Sequence, residues 1–514
     1  MDRNKESKYI QAYTIQEIMK LREELRNKNM LFNDPEFPTT NNSLFFSMPP
    51  PWQVEWKRPI EIVQSPKFSL GRPIDLESSM FANCWYKVAI DSVMRDPEIF
   101  HWVISPNCQS FDQDYIGMFF FRIWRYGKWM TVIVDDRIPI RNDTNEFIGF
   151  KCEQSQFWIC LYEKAYAKIL GTYEDIEFTQ ANEAMEDLTG GLCELFHLPT
   201  SNYDDCLDTF NIMKVAFEMN SIIVCFYNEE LTSEILSQSW KHIFITGLKV
   251  IYLNKHEEPY IKVSIPENHN FVSEWTVIST QAQIALGLPV IKTGNEMWVH
   301  LTEFVRVFYY VSICHLKGLR DHPWQWIEFH GSWVLSVSTG GSIHHSTFPQ
   351  NPQFRFCLTT ADPEPNPKNE CTVIIALLQK YRKASRKSKS TKLLKIGFVV
   401  YKINPVQVSS VLNEFYCKHH FPMISSNFYN MRKVSLRFKL PLGHYVIIPS
   451  TLNPNREGEF LLRIISYNAG GKLVQLKNIG YVFASYHWPL LIIMFLLCIL
   501  LPFIIYSKLF QEKI

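Results

Sequence analysis

Residues 80–90 read MFANCWYKVAI, and this stretch decides how the rest of the chain is understood. Behind Cys84 and Trp85 the apolar positions recur at helical spacing, which places a thiol at the start of a helix that is otherwise buried. The first turn of a helix has unsatisfied N–H groups and the positive end of the helix dipole, both of which favour a thiolate. Cys84 is therefore marked as a nucleophile, and the search moves outward for groups to activate it.

A chain of 514 residues with 46% hydrophobic content is too long for one core and rich enough to fill roughly two to four domains. Lys+Arg number 52 and Asp+Glu 51, so the formal net charge of +1 excludes a global pull toward nucleic acid or an acidic membrane. Any electrostatic role is local. The 12 Cys run from Cys84 to Cys498 without CxxC pairs or Cys/His ligand spacing, so they read as reduced thiols and not as a disulfide framework or a zinc site. The N-terminal MDRNKESKYIQAYTIQEIMKLREELRNKN reads as a charged amphipathic helix and not as a signal peptide.

The C-terminal region has a different character. From Gly480 to Ser507 there is no Asp, Glu, Lys or Arg, and Trp488 to Tyr506 is almost wholly apolar. About 20 residues of helix span the hydrocarbon of a bilayer. Trp488 and Tyr506 stand where interfacial aromatics belong, with Lys508 and Lys513 beyond. Between the two ends, FRIWRYGKWMTVIVDDRIPI (Phe121 to Ile140) reads as strands around a Tyr126-Gly127 turn and FWICLYEKAYAKILGTY as an amphipathic helix. SIIVCFYN, HIFITGLKVIYL and YIKVSI are short strands of an α+β core. After Asn351 the runs CTVIIALL, KIGFVVYKI, VSLRFKL, HYVIIPST and EFLLRIISY, separated by Pro, Asn and Gly, read as a β-sandwich.

The segments LFNDPEFP, EWKRP (Glu55 to Pro59), ANCWYKVAI, FRIWRYGKWMTVIVDDRIP, EFIGFKCEQSQFWICLYEKAYAKILGTYE, EDLTGGL, GNEMWVHLTEFVRVFYYVSIC, HGSWVLSVSTGG and NPQFRF are similar, in order, to protease-core signatures of the calpain family. HYVIIPSTLNPNREGEFLLRIIS resembles the β-sandwich of that family. The resemblance implies an α+β papain-like protease core in two parts, then a β-sandwich; where a penta-EF-hand domain would stand, the apolar run reads instead as a single C-terminal transmembrane helix. The expected division is 1–45 for a helical or anchoring segment, 46–210 and 211–350 for the two core halves, 351–480 for the sandwich and 486–507 for the membrane span.

The resemblance also carries site residues. Cys84 matches the nucleophile. Six residues earlier, at the oxyanion donor, stands Ser78, too short to place the same donor, and losing one such donor costs about 3 kcal/mol of transition-state stabilisation. Calpains present the catalytic histidine in His-Ala-Tyr-Ser-Val-Thr-Gly; aligned on Thr246-Gly247, that position is Lys241. His242 is the alternative base, and on a regular strand it faces away from the cleft unless a bulge intervenes. Ile265 stands where the orienting asparagine belongs and accepts no hydrogen bond from an imidazole.

Calcium aligns the core halves in this family. Asp75 and Glu153 match acidic ligands of a first site, whereas the second keeps Glu296 beside Gly294. Several carboxylates are needed to hold calcium, so binding at the first site is expected to be low in affinity and the second site is expected to be lost. A basic run from Lys380 to Lys395 reads either as a solvated loop or as a contact to anionic lipid, with Ser385, Ser388 and Ser390 as phosphorylation switches.

Two functions follow. One is a tail-anchored, proteolytically inactive calpain homologue, its folded domains on the cytoplasmic face of the membrane, acting as a binding platform for a protein partner. The other is a working, calcium-responsive intracellular cysteine endopeptidase that uses Cys84 and His242. What separates them is which residue of the Lys241–His242 pair faces Cys84.

Overall fold

The computed structural model describes residues 12–47, 52–69, 84–112, 115–151, 155–177, 181–198, 203–227, 242–253, 255–264, 282, 286–287, 296–317, 324–363, 368–380, 393–404 and 411–467. They form two compact units, the first ending before residue 323 and the second following it.

In the first unit, β1 (Val54–Lys57) pairs with β4 (Ile138–Arg141), and β2 (Met118–Arg125) forms a hairpin with β3 (Lys128–Asp135). Tyr126 and Gly127 make the turn with φ of +46° and +85°, the left-handed pair that suits the twist of a tight hairpin. The run MFFFRIW is apolar without alternation because both faces of the hairpin are covered. Phe119, Phe121 and Ile123 enter the main core, while Met118, Phe120 and Ile133 pack with Ile18 of the N-terminal helix Ile15–Asn27. Thr14 and Glu17 cap that helix reciprocally. The helices Cys84–Arg95, Trp158–Leu170 and Ala181–Thr189 fill the main core, with Tyr86 stacked on Tyr166 at 5.0 Å between ring centroids.

The LFNDPEFP and EWKRP segments bolt the N-terminal chain to this half. Lys168 Nζ donates to both oxygens of Asp34 at 3.0 and 2.8 Å and to the Ile133 carbonyl at 3.0 Å. Lys164, fully buried, donates to Asp135 at 2.7 Å, and Asp135 accepts the Asp34 N–H at 2.9 Å. Burial pushes the Asp34 carboxyl up, against the pull of Lys168. For Asp135 burial pushes the same way, yet Lys164 and Arg137 outweigh it and hold the carboxyl well below the ordinary range. Arg58 of EWKRP pairs with Asp136 and donates to the Phe32 carbonyl at 2.9 Å.

The second half of the unit is a six-stranded sheet in the order β5-β10-β6-β7-β8-β9. Its strands are β5 (Leu192–His197), β6 (Ile222–Tyr227), β7 (His242–Leu253), β8 (His256–Ser264), β9 (Glu296–His300) and β10 (Phe308–His315). The helices Tyr203–Glu218 and Leu301–Val307 share its core. The boundary drawn from sequence at 210/211 falls too late, because β5 is hydrogen-bonded to β10. EDLTGGL makes the join: Gly190, at φ +71°, ends the Ala181–Thr189 helix, and a Cβ on Gly191 would lie 2.6 Å from Cys314 Sγ.

The second unit is a sandwich of two four-stranded sheets, β11-β18-β13-β16 and β12-β17-β14-β15. The strands are β11 (Trp324–Trp333), β12 (Phe354–Leu358), β13 (Glu370–Lys380), β14 (Ile396–Ile403), β15 (Ile424–Ser425), β16 (Lys433–Pro441), β17 (Gly443–Thr451) and β18 (Gly458–Tyr467). The sandwich therefore starts at 324 and not at 351, since β11 pairs along its whole length with β18. HGSWVLSVSTGG and NPQFRF belong to it and not to the protease core. Asn351 accepts from the Gly340 N–H at 3.1 Å and donates to the Gly341 carbonyl at 2.7 Å, stitching the two motifs together.

Among the described residues, no helix is long and apolar enough to cross a membrane; the span expected at Trp488 to Tyr506 lies outside them. The expectation of reduced thiols throughout fails at one position. Among the described residues Cys160 is disulfide-bonded, while eight other cysteines from Cys108 to Cys417 carry free thiols.

Candidate functional site

The helix Cys84–Arg95 begins at Cys84, so the backbone places the expected nucleophile in its first turn. Further along, Tyr86, Val88, Ala89, Ile90, Ser92 and Val93 are buried, which fixes the helix in the core of the first half. Ser78, Lys241, Ile265, Asp75 and Glu153 lie outside the described residues.

His242 opens β7, where it pairs with Phe226 of β6. Ile243 and Ile245 enter the core of the second half, whereas Phe244 joins the cluster around the Cys84–Arg95 helix. His242 shares that side of the strand, and its ring meets Phe244 edge-on at 5.8 Å. The ring thus turns toward the Cys84–Arg95 helix, whereas the alignment on Thr246-Gly247 gave the cleft position to Lys241 and the opposite face to His242. A register shift in β7 falls between Ile245 and Gly247, beyond that pair.

The imidazole Nε2 of His242 lies 3.8 Å from Asp91 Oδ2, beyond hydrogen-bond reach, and its Nδ1 is buried with no partner among the described residues. Asp91 follows Cys84 by seven residues, about 10 Å along a helix rising 1.5 Å per residue. Arg95 completes the contact between the halves: its guanidinium covers the Phe244 ring at 4.2 Å, and its Nε is 3.4 Å from Asp91 Oδ1. Sequence reading missed Asp91 and Arg95. Their signal was an i, i+4 acid–base pair on a helix that is otherwise apolar.

Glu296, the acid retained from the second calcium site, is bound to Lys262. Burial alone would raise its carboxyl, but Lys262, Thr246 and Arg95 together lower it. Lys262 thus balances its charge in this structure. Among the described residues no cluster of three or more His, Cys, Asp or Glu is arranged to hold a metal ion.

A second polar constellation also went unread. His315 of β10 has Nδ1 3.0 Å from Ser221 Oγ and Nε2 2.7 Å from Glu194 Oε2 of β5. All three residues are buried, so they tie strands β5 and β10 to the chain entering β6 and present no face to a substrate.

Comparison with known proteins agrees with this architecture. The calpain family cysteine protease model matches residues 32–315, and that of calpain large subunit domain III matches 329–465. Calpain-A of Drosophila melanogaster is 33% identical over 484 residues, covering 88% of this chain and 57% of that protein. Calpain clp-1 of Caenorhabditis elegans is 32% identical over 484 residues, with 87% of this chain and 60% of the relative covered. Calpain-9 of Homo sapiens is 32% identical over 473 residues, covering 88% of this chain and 67% of the relative. The chain spans well under two thirds of the length of the first two relatives. The protease-core match takes in more than half of the 514 residues and the second match lies within the sandwich unit, and on that ground the chain belongs to the calpain family of cysteine proteases.

Proposed function

We propose that this calpain-family chain is proteolytically silent and acts as a membrane-held binding platform, anchored through residues 488–506 with its folded units on the cytoplasmic side. The observation that carries the proposal is the placement of His242. Its Nε2 lies 3.8 Å from Asp91 Oδ2, on a residue two turns along the helix from Cys84, and its Nδ1 meets no partner among the described residues. The residue types at Ser78, Lys241 and Ile265 support the same reading, because a triad acts as a unit and the loss of its base is not made good by the remaining members. The cleft and sandwich then serve to hold a protein partner. Calcium, where bound at Asp75 and Glu153, has low affinity, and the Lys380 to Lys395 run contacts anionic lipid.

One observation favours a second reading, an active endopeptidase with Cys84 and His242 as its dyad: the His242 ring lies on the side of β7 that faces the Cys84–Arg95 helix. Casein digestion by the full chain, with and without calcium, separates the two. The silent platform gives no cleavage and no autolysis in either condition. Cleavage that disappears in both Cys84→Ala and His242→Ala establishes the dyad instead.

A further inference from the structure

Cys193 of β5 and Cys314 of β10 are direct partners across an antiparallel ladder. Both side chains are buried, both belong to the main core around the Cys84–Arg95 helix, and both thiols are reduced in this structure. Strand alternation accounts for the shared side, since the neighbouring Ile313 enters the core of the second half instead. Cys225 of β6 does the same, with its Sγ 3.2 Å from the Ile243 carbonyl, so burial alone does not bring a thiol to this place.

One hydrogen bond settles what kind of pair this is. The Leu198 N–H donates to the Tyr309 carbonyl at 2.9 Å, which makes these two residues a hydrogen-bonded pair in the register of β5 and β10. Hydrogen-bonded and non-hydrogen-bonded pairs alternate along an antiparallel ladder. Phe196–Val311 and Glu194–Ile313 are then hydrogen-bonded, and Cys193–Cys314 is not. The Cys193 N–H agrees with that count, because it turns away from β10 and donates to Glu186 Oε1 at 2.9 Å. Opposed Cα atoms at a non-hydrogen-bonded site lie about 4.5 Å apart, with their side chains at their closest. That separation is within the roughly 4.4–6.8 Å that a disulfide spans.

The pair also sits where the chain enters and leaves the second-half sheet. Gly190 and Gly191 join that sheet to the first half just before Leu192, and β10 ends at His315. Cys314 Sγ lies 3.4 Å from Thr189 Oγ1 at the same join. β5 is the terminal strand in the sheet order, so a local opening that parts it from β10 uncovers Cys193.

We propose that Cys193 and Cys314 are an oxidation site, closing to a cross-strand disulfide that clips the entry of the second half to its exit when the chain meets a peroxide. A buried thiol is inert, so opening of the β5 edge sets the rate. The uncovered Cys193 thiolate attacks one peroxide oxygen and becomes a sulfenic acid as hydroxide leaves. The Cys314 thiolate then displaces hydroxide from that sulfur, and the S–S bond forms. In all, two thiols lose two electrons and two protons, and hydrogen peroxide becomes two waters. The site is independent of whether the chain cleaves protein.

The test treats the full chain with hydrogen peroxide in the absence of denaturant, blocks the remaining thiols by alkylation and maps peptides without reduction. A linked pair of peptides carrying Cys193 and Cys314, lighter by two hydrogens than their reduced sum, is the expected result, and dithiothreitol should undo it. Hydrogen exchange at 192–197 should slow about tenfold or more in the oxidised chain. Cys225→Ser should leave the link in place, whereas Cys193→Ala and Cys314→Ala should each remove the link and the slowing. The wild-type map decides alone where a variant does not fold. Oxidation of either thiol to a sulfinic or sulfonic acid without the link, a bond from either to another cysteine, or a link that forms only in urea would overturn the proposal, as would a link that leaves exchange at 192–197 unchanged.

Discussion

Replacing Lys168 by Met tests whether the buried charges of the first half hold the N-terminal segment in place. The Lys168 ammonium is almost wholly buried and lies 2.8 Å from Asp34 and 3.0 Å from Glu36, with a further hydrogen bond to the Ile133 carbonyl. Met fills similar volume but leaves the Asp34 carboxylate buried without its cation. Breaking a buried pair from one side costs about 3–5 kcal/mol. At about 2–4 °C per kcal/mol for a unit of this size, the melting transition of the first unit should fall by roughly 6–20 °C. The pH dependence has a definite sign. Asp34 already lies above its ordinary value because of burial, and losing Lys168 raises it further. A carboxyl raised in the folded state destabilises above its unfolded value near 3.9 and is relieved as pH falls, so the deficit of Lys168→Met should shrink under acid. The assay is circular-dichroism melting of the full chain from neutral to acid pH, with hydrogen exchange at 12–37 reporting release of the segment. Lys168→Met with Asp34→Asn should recover part of the loss. A loss below about 1 kcal/mol, or a double variant no better than the single, would refute the reasoning.

Asp135 has the opposite linkage. Its folded carboxyl lies below the ordinary range, so its contribution is present above about pH 3.9 and lost as pH falls through the folded value. Asp135→Asn should lower the neutral-pH urea midpoint and flatten the acid limb. At the contact between the halves, Asp91→Asn should cost about 0.5–1 kcal/mol, since the Arg95 partner is half exposed, and should speed exchange at residues 242–246. Slower or unchanged exchange there would remove the Asp91–Arg95–Phe244 contact from the account of how the halves are held. On the proposed topology the full chain should resist carbonate extraction, and Asn41 and Asn142, both exposed and both in sequons, should carry no glycan. A glycan on either would reverse that topology.

Much of the architecture was legible because its signals are local. The Tyr126-Gly127 turn, the period of the Trp158–Leu170 helix and the apolar run at the start of the Cys84–Arg95 helix each follow from a few neighbouring residues. Boundaries were not legible, because membership of a sheet is set by a partner far away in sequence. Nothing in WQWIEFHGSW says that it pairs with β18, yet that pairing moves the start of the sandwich to 324. The same limit explains the misplaced edge of the second core half, where β5 is claimed by β10 across more than a hundred residues.

At the candidate site the sequence could align a motif but not orient a ring. Alignment on Thr246-Gly247 gave the cleft to Lys241 and, by adjacency on a strand, the opposite face to His242. The fold turns the His242 ring to the helix that begins at Cys84. Facing that helix is not the same as serving its thiol. The ring meets the helix beside Asp91, where Arg95 and Phe244 join the two halves. Activity that needs Cys84 and His242 together is the outcome that would weigh most heavily against a silent platform.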